Sequence, residues 1–453
     1  MNTQNFSSLN LTDAMLKNLE KIGYKHMTPI QAKALPFILK KNDLIAKAKT
    51  GSGKTAAFGI GLLSNLDIKK FRVQSLVLCP TRELADQVAN ELRQIAKFAH
   101  NIKILTLCGG VAFGPQLGSL RHQAHIIVGT PGRVLKHLNK NSLSLQDLNM
   151  LVLDEADRML DMGFIEEIQN VIDFAPKKRQ TLLFSATYPD EIKDLCKSIL
   201  DNPIEVEAHL QEVPNEISEY FYEVKANEKV KTLVEIFSRY KPNDVIVFCN
   251  TKLECDELAG ELQDSNIDAL ALHGDLEQYE RNDVLVQFSN KSCPVLVATD
   301  VAARGLDIKD LDMVVNYNLP FTQETYTHRI GRTGRAGAKG ISITLYIDKE
   351  LEKADEYKDE KREFLKIDNF SDTSTFKMQP EFVTLVIEGG KKDKLRKGDI
   401  LGSLTGDIGL SGENIGKIDI YDRQTYVALK NGFEENIIKN IIIKKKRFTT
   451  WIL

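Results

Sequence analysis

The chain of 453 residues is too long for a single hydrophobic core, and its 42% hydrophobic content predicts a folded protein of two or three domains. Its net charge of -3 gives no sign of a nucleic-acid partner, and six cysteines without a Cys-x-x-Cys pair argue against a zinc site or a disulfide framework. No apolar run could cross a bilayer and residues 1–10 lack the features of a secretory signal, so we expect a cytoplasmic protein with no membrane partner.

The first strong pattern is a glycine-rich segment between a short strand, residues 43–46, and an apolar helix. Such a loop directs backbone N–H groups, a helix N-terminus and one lysine at the same phosphates. Glycine is usual at its first position, where this chain has alanine, so the segment alone also fits an ordinary turn. The candidate phosphate-binding residues are Ala48, Lys49, Thr50, Gly51, Ser52, Gly53, Lys54 and Thr55.

Two segments alternate short apolar strands with amphipathic helices, which predicts parallel sheets covered on both faces. The first, residues 1–207, has expected strands at 75–79, 102–107, 124–128, 150–153 and 181–184, with helices such as 82–98 and 190–199. The second, residues 215–347, has strands at 245–249, 269–272, 295–298, 313–316 and 341–346, with helices such as 229–239 and 254–262. Residues 208–216 are expected to form a linker.

An acidic cluster follows the apolar run at residues 150–153, so its first carboxylate is expected at the carboxyl end of a buried strand, where open α/β sheets bind ligands. Asp154 is placed to hold Mg²⁺ together with Thr55, and Glu155 is placed to orient or deprotonate a water molecule. With Lys54 for the phosphates, the set predicts a nucleoside-triphosphate hydrolysis site. A chance acidic cluster at a helix start is the alternative for the tetrapeptide alone.

Residues 328–335 place three arginines among glycines in the second segment. Phosphoryl transfer needs positive charge on the developing oxygens, and the first segment offers no obvious arginine for this task. If Arg332 and Arg335 act as arginine fingers, hydrolysis requires both segments to close on one nucleotide. A surface charge cluster is the alternative.

Residues 6–346 resemble the DEAD-box RNA helicases, which implies two tandem RecA-like parallel-sheet domains and the use of ATP. Residues 23–31 are similar to the adenine-reading motif of that family, with Phe6 as its upstream aromatic residue. The resemblance implies that Gln31 hydrogen-bonds the adenine edge and that Tyr24 stacks on the ring. It also implies that Asp307, with Gly305 nearby, reaches the ribose.

The resemblance further implies a set of RNA contacts through threonines, arginines and backbone amides, which bind phosphates and 2'-hydroxyls without reading sequence. These residues are Pro80, Arg82, Gly110, Thr130, Arg133, Thr251, Gly274 and Thr299. The residues expected to couple the nucleotide state to the RNA state are Asp157, Ser185, Thr187, His328 and Arg329.

Residues 348–363 contain 13 charged residues in 16, with opposite charges three apart, which predicts an exposed helix. Residues 348–377 as a whole are expected to be this helix and a linker.

Residues 378–453 show a strand, helix, two strands, helix, strand order, which predicts a small α+β domain of the RNA-recognition type. They hold 13 Lys+Arg against 10 Asp+Glu, or +3, while the remainder holds 47 against 53, or -6. Residues 381–392 and 398–409 resemble the DbpA-type helicases, which implies docking on a hairpin of large-subunit ribosomal RNA and a role in ribosome assembly. The candidate RNA contacts are Lys391, Lys392, Lys394 and Arg396.

The sequence departs from the usual RNA-recognition pattern at residues 424–429. This strand carries a single aromatic residue and no glycine, where such a domain normally stacks bases. We therefore expect structured RNA to be held by the basic edge of this domain instead. The leading hypothesis is a monomeric RNA-dependent ATPase that separates short RNA duplexes. A non-enzymatic ATP-gated RNA clamp and a DNA translocase are the alternatives.

Overall fold

The computed structural model describes residues 5–48, 51–207, 217–303, 308, 311–334, 339–359, 362–367, 373, 375–432 and 440–453. The chain divides into two compact units, whose described parts end at residue 207 and begin at residue 217. All six cysteines are buried thiols. No helix in these ranges combines the length and apolarity that a membrane span requires. The expected linker at 208–216 lies outside the described residues.

The first unit is built on a parallel sheet with the strand order β3-β4-β2-β5-β6-β1-β7. Its central strands are buried along their whole length, which explains why they read as continuous apolar runs. The strands are β1 (Leu44–Lys47), β2 (Ser75–Leu78), β3 (Ile104–Leu107), β4 (Ile126–Gly129), β5 (Met150–Asp154), β6 (Gln180–Ser185) and β7 (Ile204–Glu207).

Nine α-helices of the described residues flank this sheet and enclose two hydrophobic clusters. Two of them begin at a threonine whose side chain accepts a backbone N–H, Thr12 in one and Thr81 in the other. The helices are α1 (Asp13–Lys21), α2 (Pro29–Leu39), α3 (Lys54–Ser64), α4 (Arg82–Ile95), α5 (Phe113–Leu120), α6 (Pro131–Asn139), α7 (Ala156–Asp161), α8 (Ile165–Asp173) and α9 (Asp190–Ile199).

The second unit contains a parallel sheet with the order β10-β11-β9-β12-β13-β8-β14, which repeats the first order strand for strand. The strands are β8 (Ile217–Glu223), β9 (Val245–Cys249), β10 (Ala269–Leu272), β11 (Val295–Thr299), β12 (Met313–Asn316), β13 (Gly340–Tyr346) and β14 (Arg362–Lys366). The helices are α10 (Lys229–Tyr240), α11 (Lys252–Asp264), α12 (Gln278–Ser289), α13 (Asp300–Ala303), α14 (Gln323–Ile330) and α15 (Leu351–Asp355). The expected tandem RecA-like architecture is confirmed.

The exposed helix expected at residues 348–363 is wrong. A short turn and the five-residue α15 are followed by β14, which pairs with β8 at the edge of the second sheet. Tyr357 is buried and Arg362 forms an ion pair with Glu219, so the charged segment is anchored to this domain. Met378 also packs in its core, so the boundary of the C-terminal domain lies a few residues later than expected.

The C-terminal domain is a five-stranded antiparallel sheet with the order β16-β17-β15-β19-β18. The expected helix at 434–440 lies outside the described residues except for its last position, which begins a strand. The elements are β15 (Phe382–Ile387), α16 (Lys397–Gly402), β16 (Ile415–Ile420), β17 (Thr425–Lys430), β18 (Asn440–Ile443) and β19 (Lys446–Ile452). The small α+β fold is thereby confirmed.

One face of this small sheet packs on α12 of the preceding domain. Val286 of α12 forms a buried cluster with Val386 and Tyr426 on the central strands. The Tyr426 hydroxyl donates to Asp283 at 2.9 Å, and Asn290 Nδ2 donates to Thr384 Oγ1 at 2.9 Å. The contact combines apolar burial with hydrogen bonds, so the domain is docked at this face.

Candidate nucleotide and RNA site

The glycine-rich segment forms a tight turn between β1 and α3. Gly51 and Gly53 have φ angles of +83° and +89°, which glycine adopts without strain. A Cβ atom on Gly53 would lie 2.6 Å from Gln31 Nε2, so this position also needs glycine for space. The Ala48 N–H donates to the carbonyl of Ser185 at 2.9 Å, which fixes the loop at the carboxyl edge of the sheet. Lys49 and Thr50 lie outside the described residues.

The expected adenine motif is joined to this loop. Gln31 is almost fully buried, and its amide accepts from the Thr28 N–H at 2.9 Å and donates to the Gly53 carbonyl at 3.0 Å. Each amide atom retains one further hydrogen-bonding position, so adenine reading through Gln31 stays a prediction. Tyr24 is half-buried, and the ring of Phe6 meets it edge-on at 6.2 Å.

Lys54 is buried between two carboxylates at the start of α3. Its Nζ lies 2.8 Å from Asp154 Oδ1 and 3.3 Å from Glu155 Oε1. Burial opposes the charge of Lys54, but these carboxylates outweigh burial and hold its pKa above the usual range. Burial raises the pKa of Asp154, although Lys54 opposes that shift.

Glu155 occupies the turn between β5 and α7 with a left-handed backbone, at φ 56° and ψ 54°. Its second oxygen, Oε2, lies 3.0 Å from Arg158 Nη1, one helical turn away. Glu155 and Arg158 are both buried, so this ion pair is little screened by solvent. Sequence reasoning missed Arg158, because an arginine three residues after a glutamate is common on solvent-exposed helices.

Asp157 is connected to the segment after β6 by several hydrogen bonds. Its Oδ2 accepts from the backbone N–H groups of Ala186 and Thr187, both at 3.0 Å, and from the Thr187 hydroxyl at 3.2 Å. The Asp157 N–H donates to Ser185 Oγ at 3.1 Å. The residues expected to couple the nucleotide and RNA states in this domain therefore lie in direct contact.

The expected RNA residues lie at the carboxyl ends of three adjacent strands in each parallel sheet. In the first unit they follow β2, β3 and β4, whereas the phosphate loop follows the neighbouring β1, Asp154 ends β5, and the coupling residues Ser185 and Thr187 lie at the end of β6. In the second unit they follow β9, β10 and β11. Pro80 and Thr299 are buried. The other six are half-buried or exposed: Arg82, Gly110, Thr130, Arg133, Thr251 and Gly274.

Two of these residues also have structural contacts. Arg133 donates to the Gln116 side chain and to the Val111 carbonyl, both at 2.8 Å, which holds its guanidinium beside the loop of Gly110. Thr251 accepts the Glu254 N–H at 3.2 Å and so caps α11.

Arg329 is buried in the second parallel-sheet domain and forms hydrogen bonds to several of its side chains. Its guanidinium donates to both carboxylate oxygens of Asp300, at 2.8 and 2.7 Å, and to the side chains of Asn316 and Asn250. It thereby fixes the start of α13 after Thr299. His328 is half-buried on the same helix, α14, and Arg332 is buried in the turn after it. Gly305, Asp307 and Arg335 lie outside the described residues.

The two basic runs of the C-terminal domain meet on one surface. Lys444 forms an ion pair with Asp399 at 2.6 Å and donates to the Lys394 carbonyl, and Lys446 pairs with Asp393. The candidate contacts Lys391, Lys392, Lys394 and Arg396 are all exposed on this surface. We call residues 391–397 together with 444–447 the basic edge.

Comparisons with known proteins cover the whole architecture. The DEAD/DEAH box helicase family matches residues 28–195, the helicase conserved C-terminal domain matches 228–337 and the DbpA RNA binding domain matches 384–450. The ATP-dependent RNA helicase DbpA of Escherichia coli (strain K12) is 50% identical over 96% of this chain and 96% of its own length. The chain belongs to the DbpA family of DEAD-box RNA helicases.

Further relatives agree with this membership. DbpA of Bacillus subtilis (strain 168) is 38% identical over 98% of both chains. The solved structure of S. cerevisiae Dbp5 bound to RNA and ADP BeF3 matches with a TM-score of 0.71 and 33% identity, over 80% of this chain and 96% of that chain. The expected RNA-stimulated ATPase and helicase activity is thereby confirmed, together with the use of ATP.

The donor set at Asp154 fits a magnesium ion in this helicase. Asp154 Oδ2 is buried and has no hydrogen-bond partner within the described residues, and carboxylate and hydroxyl oxygens are ligands that Mg²⁺ takes. Thr55 follows Lys54 on α3, so its hydroxyl belongs to the same turn. Asp154 and Thr55 would hold the ion, which would neutralise charge on the phosphates.

The second domain of the helicase has a cavity of about 380 Å³ at the place that corresponds to the phosphate loop. Lys229 begins α10 after β8, just as Lys54 begins α3 after β1. Its ammonium group donates to the Tyr317 carbonyl at 2.8 Å instead of meeting a phosphate site. Four glutamates line this cavity and would repel phosphates: Glu254, Glu257, Glu261 and Glu350.

Proposed function

We propose that this helicase remodels large-subunit ribosomal RNA during ribosome assembly and that its C-terminal domain directs it there. The observation that carries the proposal is the basic edge, where two runs far apart in sequence form one exposed surface. The central strands of the small sheet are packed on α12, so they offer no open platform for bases. A basic edge suits the phosphates and shape of a structured RNA.

In the proposed ATP site, Lys54 and the loop from Ala48 to Thr55 bind the phosphates. Asp154 and Thr55 hold Mg²⁺, and Glu155 orients the attacking water molecule. Tyr24 and Gln31 select adenine. Arg332, Arg335 and Asp307 would complete the site from the second domain.

In the proposed RNA site, the residues after β2, β3 and β4 and those after β9, β10 and β11 bind one RNA strand through its backbone. Closure on ATP and RNA would bend that strand out of duplex geometry, and hydrolysis would reset the clamp. The chain would work as a cytoplasmic monomer. The buried, unpaired thiols support a reducing compartment.

A charge reversal at the basic edge tests the targeting. The double variant Lys391→Glu and Lys392→Glu should weaken binding to ribosomal RNA fragments by about ten-fold or more and reduce the slope of log affinity against log salt. The control is Lys177→Glu and Lys178→Glu, an exposed lysine pair in the turn before β6, at the opposite edge of the first sheet from the site. Equal losses in both variants would contradict a specific role of the basic edge.

A further inference from the structure

The small C-terminal sheet is only half covered by α12. Tyr426, Val386 and Trp451 face each other across β17, β15 and β19, so their side chains share one face. Tyr426 and Val386 are 4% and 1% exposed, because Val286 of α12 packs on them. Trp451, the third member of the row, is 38% exposed.

The uncovered half continues on the outer two strands. Residues 447, 449 and 451 alternate with buried Phe448 and Thr450, so Arg447, Thr449 and Trp451 lie on the same face. Arg447 stands opposite Ile442, which is 58% exposed. The result is an exposed strip that combines a tryptophan, an aliphatic side chain and an arginine.

We propose that this strip stacks an unpaired base of a single-stranded RNA segment on Trp451, with Arg447 two positions further along the same face of β19. An indole ring offers a large face for a base, and a guanidinium about 13 Å away along the strand suits a phosphate of the same RNA segment. RNA-recognition folds normally stack bases on the two central strands, but α12 covers these strands here. The stacking position is thereby displaced to β19.

This inference rests on the proposed RNA targeting and adds a second element to it. The basic edge holds structured RNA, whereas the strip takes a flanking single strand. Because Trp451 borders the residues that α12 covers, a base stacked there would lie next to the second parallel-sheet domain. The single strand would therefore leave the C-terminal domain beside the helicase core.

Trp451 is the only tryptophan of the chain, so its fluorescence reports directly on the strip. The full chain without nucleotide should be titrated with a hairpin RNA that carries a single-stranded oligouridine flank, and with the same hairpin blunt-ended. We expect quenching by the flanked RNA only. Trp451→Ala should weaken binding of the flanked RNA by roughly five- to a hundred-fold, measured by anisotropy of labelled RNA, and leave the blunt hairpin unchanged.

Two further variants separate stacking from a structural effect. Trp451→Phe should retain most of the affinity, because phenylalanine keeps an aromatic face, and Phe174→Ala should retain all of it, because this exposed aromatic residue lies in the first unit. Unchanged tryptophan emission on saturation with flanked RNA, with unchanged affinity of Trp451→Ala, would overturn the proposal and favour a protein partner for the strip. The targeting proposal fails separately, if ribosomal RNA fragments lose no affinity when the basic edge is reversed.

Discussion

The ion pairs around Lys54 link three groups with different proposed tasks. Lys54 contacts Asp154 and Glu155, and the other oxygen of Glu155 contacts Arg158. An incoming phosphate would compete with the carboxylates for Lys54, whereas Arg158 would stay paired with Glu155. We therefore expect Arg158 to orient Glu155 when Lys54 is drawn to the phosphates.

Substitution at Arg158 tests this role. Arg158→Met should lower the ATPase kcat about ten-fold while KM for ATP changes little, because Arg158 acts on the orientation of Glu155 and not on nucleotide binding. Arg158→Lys should recover part of the rate. Steady-state kinetics measure both, with Glu155→Gln as the reference for complete loss of the carboxylate. A loss in Arg158→Met that appears only in KM would contradict the positioning role.

The sequence indicates the chemistry of single residues better than their contacts. Lys54, Asp154 and Glu155 are predicted site residues from the loop and from the strand before the acids, and the structure brings these three side chains together. The bond of Gln31 to Gly53 and the pair of Glu155 with Arg158 could not, because each depends on a backbone turn. The contact of Asp157 with Thr187 joins the ends of two strands, and only the pairing of β5 with β6 brings these ends together.

At the scale of the element, α6 carries a buried histidine among cations. His137 is fully buried and its ring stacks on Phe113 at a centroid distance of 4.1 Å. Burial, followed by the charges of Arg133, Lys136 and Lys140, lowers the pKa of His137 to about 4. The folded protein therefore favours the neutral imidazole.

The lowered pKa of His137 predicts a pH-dependent stability. In the unfolded chain the pKa of a histidine is about 6.5. The stabilisation that the neutral His137 gives the folded protein is therefore complete above pH 6.5 and is lost as the pH falls toward 4. Between pH 7 and pH 5 we expect the free energy of unfolding to fall by about 1 kcal/mol, after allowance for solvent screening. The variant His137→Gln should not show this fall. Urea unfolding followed by circular dichroism measures the difference. Parallel pH profiles of both proteins would contradict it.

Elements could be predicted from sequence where burial is continuous and not where it is mixed. Strand β9 has the expected bounds, because it is an uninterrupted apolar run that is buried along its whole length. The first two residues of strand β14, Arg362 and Glu363, fall in the expected helix, since three of the five residues of this edge strand are charged and only Phe364 and Leu365 pack on hydrophobic clusters of the domain. Sequence spacing of opposite charges does not distinguish these two environments.

At the scale of the whole molecule, the packing of the C-terminal sheet on α12 joins two domains that sequence reasoning treats as separate. The contact contains the buried Val286 cluster and the bonds of Asp283 and Asn290. A valine in a buried apolar cluster contributes roughly 1.5–3 kcal/mol, so a charge at this position should separate the domains.

Val286→Asp tests the docking. The variant should shorten the rotational correlation time of Trp451 in time-resolved fluorescence anisotropy, because a released domain tumbles independently. Leu253→Asp is the matched control, since Leu253 is 67% exposed and its charge should leave the correlation time unchanged. An unchanged correlation time in Val286→Asp would show that this cluster is dispensable for docking.

The central proposal is that the C-terminal domain directs an ATP-driven RNA helicase core to ribosomal RNA. The most direct measurement is the ATPase rate of the full chain, and of the chain lacking residues 381–453, with a panel of large-subunit ribosomal RNA fragments and generic RNAs. This truncation keeps Met378, which packs in the second domain. We predict that the full chain is stimulated most by one ribosomal fragment and that the truncated chain keeps generic stimulation without this preference. Equal stimulation of the full chain by all RNAs, or an equal loss with every RNA after truncation, would contradict targeting by the C-terminal domain.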